Sequence, residues 1–169
     1  FARVTTLEGR CADLSDAVAA ARREAPFGPL LGLFGSSLGG TVCLAMGRKL
    51  QAAATVTLAA PLRSATVQRV VEEDDPVRSE LPDWNPAVLT FDVTEKAAGL
   101  PHLLILHGDS DRVVRPSEAF RLYQLGGDPK RLIMLRDGDH RLSRPESQEK
   151  FQRETVNWFA STFRKRGLR

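Results

Sequence analysis

The 169-residue chain holds only two cysteines, too few for a disulfide scaffold or a four-cysteine zinc site. Its three histidines stand at no metal-ligand spacing, and no glycine-rich phosphate loop or dinucleotide fingerprint occurs. No apolar run reaches the roughly 18 residues of a membrane-spanning helix. Charge of one sign is scarce, since 24 Lys+Arg against 21 Asp+Glu leave a net +3. The basic cluster Arg164, Lys165, Arg166 and Arg169 has no interleaved aromatics. It suits a solvated helix end, so neither a nucleic-acid nor a membrane partner is expected. Repeats and low-complexity tracts are absent. So is an initiator methionine: the chain starts at Phe1, and its start is not expected to be that of the gene product.

What remains is an ordinary globular composition, 42% hydrophobic and 27% charged, with length for one domain over residues 1–169. Residues 6–24 predict a helix, with Thr5 and Glu8 as a capping box and Leu7, Cys11, Leu14, Val18 and Ala21 on one apolar face. Leu30 to Phe34 predicts a buried strand, then a glycine-rich turn and a helix from about Gly39 to Leu50. Ala54 to Ala60, Leu103 to Leu106 and Arg131 to Leu135 predict three more strands. Pro116 to Leu125 predicts a helix opened by proline and closed by Gly126-Gly127. A last helix starts at Pro145 and buries Phe151, Trp158, Phe159 and Phe163. Residues 61–99, with an acidic run at Glu72–Asp75, predict an irregular excursion holding one short helix. Continuous apolar strands alternating with helices imply an α/β fold, a parallel sheet with helices on both faces. Cys11 and Cys43 fall on apolar helix stripes and are expected as buried free thiols; the expected location is cytoplasmic.

The turn after the first strand reads Gly35-Ser36-Ser37-Leu38-Gly39, a G-x-S-x-G between strand and helix. Such a turn needs small residues at Gly35 and Gly39, and it lifts the Ser37 hydroxyl above the sheet edge. The helix that follows favours developing negative charge, with the Leu38 amide as one oxyanion donor. Serine needs a base, and the base needs an orienting acid. Candidates lie just past the third strand, in His107-Gly108-Asp109-Ser110-Asp111-Arg112-Val113-Val114, and past the fourth, in Asp137-Gly138-Asp139-His140. In open parallel sheets this is the end where ligands bind. Ser36 competes with Ser37, Asp109 and Asp139 with Asp111, and His102 and His107 with His140.

With GSSLGG at 35–40, HGDSDRVV at 107–114 and GDH at 138–140, the chain resembles the α/β-hydrolase superfamily over nearly its whole length. Within it the chain is most similar to the dienelactone hydrolase-like and S9/S33 peptidase-like groups. The resemblance implies Ser37 as nucleophile, Asp111 as acid and His140 as base. It makes Asp109 a loop brace, His107 part of a structural His-Gly pair and Asp139 a turn residue. A serine departs from the cysteine of dienelactone hydrolase and from the aspartate nucleophiles of haloalkane dehalogenases and epoxide hydrolases. The resemblance also implies several strands before the nucleophile and a loop giving a second oxyanion donor. Only 36 residues precede Ser37, so the expected fold is N-terminally incomplete, its sheet completed by a missing segment or a second chain.

The excursion at 61–99 sits where the family inserts a cap. Trp84, with Val88, Leu89 and Phe91, is a candidate wall of an acyl pocket, or packs the segment onto the sheet. The expected function is a serine hydrolase that cleaves a carboxylic ester, thioester or amide of a small acyl substrate through an acyl-enzyme, without cofactor or metal. The alternatives are a peptidase of the same fold and a non-catalytic interaction module or incomplete hydrolase fragment. Activity is expected to show a limb near histidine's ordinary value of about 6.5.

Overall fold

In the computed structural model, which describes residues 6–24, 28–67 and 90–167, helices and strands alternate along the chain. The order is α1 (Leu7–Glu24), β1 (Gly32–Ser36), α2 (Leu38–Met46), β2 (Ala54–Leu58), α3 (Thr94–Ala97), β3 (Leu103–Gly108), α4 (Pro116–Leu125), β4 (Lys130–Leu135) and α5 (Pro145–Gly167). The strands form one parallel sheet in chain order, β1-β2-β3-β4.

Every residue of β2 and β3 is buried, which is why these strands read as unbroken apolar runs rather than alternating ones. Alternate side chains serve opposite faces. Leu103 and Ile105 of β3 pack with Leu44 of α2, Ala97 of α3, and Ala119 and Leu122 of α4. Leu104 and Leu106 join Val56, Leu58, Ile133 and Leu135 under Phe151, Trp158 and Phe159 of α5. Helices therefore cover both faces. α1 lies outside α2, placing Leu7, Cys11, Leu14 and Val18 against a cluster of Leu33, Val42, Cys43 and Met46. None of its residues is fully buried. Both cysteines are free, and burial pushes the Cys43 thiol up to about 11.

The register aligns the strand ends. Ser36 lies beside Leu58, Leu58 beside Leu106, and Gly108 beside Leu135, so the loops after β1, β3 and β4 leave from one edge of the sheet. β1 pairs only with β2, and among the described residues its other edge carries no strand. Phe34, at 46% exposure, stands at that edge and touches Phe151 with ring centroids 5.4 Å apart.

Several boundaries differ from the sequence expectation. β1 starts at Gly32, because Leu31 accepts the Ala53 amide ahead of the regular ladder. α2 ends at Met46, and turns carry the chain on to Leu50. Thr6 caps α1 through its hydroxyl to the Gly9 amide at 3.1 Å, while Thr5 lies outside the described residues. The two ends of the 61–99 excursion are pinned to each other. Ser64 donates its amide to Phe91, the Ser64 hydroxyl accepts the Phe91 amide, and Val93 donates to Leu62. Trp84, Val88 and Leu89 lie outside the described residues. Phe91 is buried, and lines a groove with Leu7, Met46 and Lys96 to which Ser37, Asp111 and His140 do not belong.

Candidate active site

Ser37 leaves β1 with φ 51 and ψ −126, backbone angles that a residue with a side chain adopts only under constraint. The constraint is visible. The Ser37 amide donates to the Leu58 carbonyl of β2 at 2.8 Å, and the Ser37 carbonyl accepts the amides of Gly40 and Thr41. A Cβ at Gly35 would stand 2.2 Å from the Gly39 carbonyl oxygen, so strand and helix touch backbone to backbone. The second close approach is at Gly40, not Gly39. A Cβ at Gly40 would come within 2.6 Å of the Ala60 Cβ, whereas one at Gly39 would meet nothing within 4 Å. Gly39 faces outward on the first turn of α2, while Gly40 faces the end of β2. Leu38 opens α2, so its amide belongs to the turn that has no intrahelical acceptors.

The loops after β3 and β4 are held together at two glycines. A Cβ at Gly108 would lie 2.1 Å from the Gly138 carbonyl oxygen. The Ser110 amide donates to that same carbonyl at 3.0 Å, and Asp109 donates to Leu135. This contact brings Asp111 and His140 within reach of each other.

The Asp111 side chain is fully buried. Its Oδ1 accepts the amides of Val113 and Val114 at 2.8 and 2.9 Å, and its Oδ2 accepts His140 Nδ1 at 2.8 Å. His107 Nε2 lies 3.4 Å from Oδ2. Burial alone would raise the carboxyl's pKa. Hydrogen bonds from His107 and His140, the His140 charge and the Val114 amide outweigh it and hold Asp111 well below the usual carboxylate range. An ionised Asp111 only accepts, so His140 Nδ1 carries the hydrogen in that bond. His140 Nε2 then faces Ser37 Oγ at 3.2 Å with a lone pair free to take a proton. The His140 side chain is 20% exposed, open to a substrate from the solvent side.

The structure thus brings Ser37, His140 and Asp111 into one hydrogen-bonded chain; of the competing residues only His107 touches it, at Asp111 and not at Ser37. Ser36 is exposed at the end of β1. Asp109 is exposed and accepts the hydroxyl of Ser110. Asp139 takes the Ser143 amide at 2.8 Å in a turn, and hydrogen bonds from Ser143 draw its carboxyl below the usual range. His102 sits at the opposite end of β3, where its carbonyl accepts Trp158 Nε1 and the Thr55 amide. The roles of Gly40, Gly138 and the Val113 and Val114 amides carry no sequence signal, because each rests on a contact between distant segments. No helix among the described residues is long and apolar enough to cross a membrane.

Residues 11–166 match the family model described as the prolyl oligopeptidase family. The fold is similar to that of an esterase from Pyrococcus furiosus, with a TM-score of 0.77, 15% identity, and coverage of 94% of this chain and 64% of that one. It is also similar to the esterase domain of a Rhodothermus marinus protein, with a TM-score of 0.62, 23% identity, and coverage of 81% and 62%. A 38-residue stretch is 45% identical to the uncharacterized protein YfhR of Escherichia coli, covering 22% of this chain and 13% of that protein. The chain spans less than two thirds of the length of each of these relatives.

Proposed function

The chain belongs to the prolyl oligopeptidase family and has the α/β-hydrolase fold, and from that premise we propose that it is a serine hydrolase acting through an acyl-enzyme on Ser37. The observation that carries this reading is the relay from Asp111 through His140 to Ser37, at 2.8 and 3.2 Å, on a constrained strand-to-helix turn.

Ser37 Oγ attacks the acyl carbon of a carboxylic ester, thioester or amide while His140 Nε2 takes its proton. Asp111 steadies the imidazolium so formed. The carbonyl oxygen becomes an oxyanion facing the Leu38 amide and the positive end of α2. As the tetrahedral intermediate collapses, His140 returns the proton to the leaving alcohol, thiol or amine. A water activated by His140 then attacks the acyl-Ser37 ester and frees the acid. The cycle uses no cofactor.

One amide is half of the usual oxyanion pair. We place the second donor on a further strand and loop paired against the open edge of β1, from the same polypeptide or another chain. Among the described residues that edge is unpaired, and the exposure of Phe34 beside it supports this. Trp84 is our candidate for a wall of the acyl pocket, on sequence grounds. The free thiols Cys11 and Cys43 support a cytoplasmic location, which cell fractionation would test.

Family membership favours a second reading of the substrate, a peptide. A series of p-nitrophenyl esters of rising acyl length, set against aminoacyl p-nitroanilides, separates the two. We expect ester turnover that Ser37→Ala and His140→Ala each reduce by at least about 10³. Preference for the anilides would make it a peptidase. Wild-type rates in His140→Ala would remove the base assignment.

A further inference from the structure

We propose that His107, which stands outside the Ser37–His140–Asp111 relay, is a positioning residue: its Nε2–H is shared between the Val114 carbonyl and Asp111 Oδ2, fixing the carboxylate that His140 leans on. The proposal rests on the serine-hydrolase reading of that relay.

The donor is identified by its partner. His107 Nε2 lies 2.8 Å from the Val114 carbonyl oxygen, which can only accept, so Nε2 carries the hydrogen. The same nitrogen lies 3.4 Å from Asp111 Oδ2, the oxygen that takes His140 Nδ1 at 2.8 Å. With the Val113 and Val114 amides on Oδ1, each carboxylate oxygen meets two donors. The ring is buried on β3 beside Met134 of β4, and its Nδ1 has no partner among the described residues. A buried ring nitrogen without a partner is costly, and an apolar side chain would fill the place without that cost. The polar contact with Asp111 and the 114 carbonyl is what a histidine adds there.

The positive end of the Nε2–H bond sits beside the oxygen that steadies the His140 imidazolium. Removing it leaves more of the Oδ2 charge for His140, and frees the carboxylate to turn. The charged and titratable groups set around this pair are Asp111, His140 and Asp139, which feels the Asp111 charge. In His107→Leu the acid limb of kcat/KM should move up by about half a unit to one unit. Turnover should fall about tenfold to a hundredfold with KM little changed. His107→Gln can donate from nearly the same place and should restore the limb.

The chain has only three histidines, so [15N]histidine NMR of the whole chain can follow each ring without a substrate. In the wild type we expect His107 as the Nε2–H tautomer. In His107→Leu the His140 titration should move up, and in His107→Gln it should return. An Nδ1–H tautomer at His107, or a His140 titration that stays or moves down in His107→Leu, would overturn the proposal. If His107→Leu fails to fold, an Nδ1–H tautomer in the wild type still overturns the proposal, as does a roughly tenfold loss of turnover in His107→Gln. Fluorophosphonate labelling of Ser37, run alongside, reads the serine-hydrolase proposal separately from the His107 tautomer, so the two failures are told apart.

Discussion

Asp111 carries a charge where water does not reach it, and its cluster of hydrogen-bond donors makes that tolerable. Two consequences follow at the scale of the single residue. Asp111→Asn can no longer hold His140 with Nδ1–H toward it, so turnover should drop by about 10⁴ while the fold survives. Circular dichroism beside steady-state kinetics would check this. The second consequence concerns acid. The folded carboxyl titrates well below the unfolded value of about 3.9. Its contribution to stability is therefore complete above that value and is lost as pH falls toward the lower folded value. Urea melts between about pH 5 and 2.5 should show wild-type stability falling more steeply than that of Asp111→Asn. Equal slopes would count against a buried, ionised Asp111. At this scale the sequence was informative about residue types and their order, Ser37, Asp111, His140. It marked His107 only as a rival base and as part of a His-Gly pair, because its contact with Asp111 depends on a loop doubling back from Val114.

The elements place these residues by backbone contact. Gly35 and the first turn of α2 approach so closely that a single methyl group cannot enter. Gly35→Ala should thus displace Ser37 and abolish both activity and much of the stability. Gly39 also stands in the motif, yet it has open space and a helical position. Gly39→Ala should be neutral or stabilising, by up to about 1 kcal/mol, with turnover kept within a few-fold. Thermal melts and rates on the two variants test whether close packing, rather than motif membership, dictates the glycine. The strands themselves were legible because β2 and β3 are buried on both faces and so leave apolar runs in the sequence. The polar first residue of β4, Lys130, and the shifted start of β1 were not, because each is defined by a neighbouring strand rather than by its own composition.

On the scale of the whole molecule, the sheet ends at β1, whose outer edge carries no strand among the described residues. An exposed edge strand invites pairing. The 169-residue chain should therefore self-associate with rising concentration, and Phe34→Glu should weaken that association in sedimentation velocity. Unchanged association in Phe34→Glu would show that the β1 edge is not the contact. The parallel order of the sheet could be read from strand–helix alternation, and its incompleteness from the few residues that precede Ser37. Hydrolysis requires that the relay activate Ser37. Intact-mass analysis after fluorophosphonate treatment, with peptide mapping, measures this directly. The prediction is one adduct on Ser37, absent in Ser37→Ala and strongly slowed in His140→Ala. Folded protein that takes no label, or label that persists in Ser37→Ala, would contradict it.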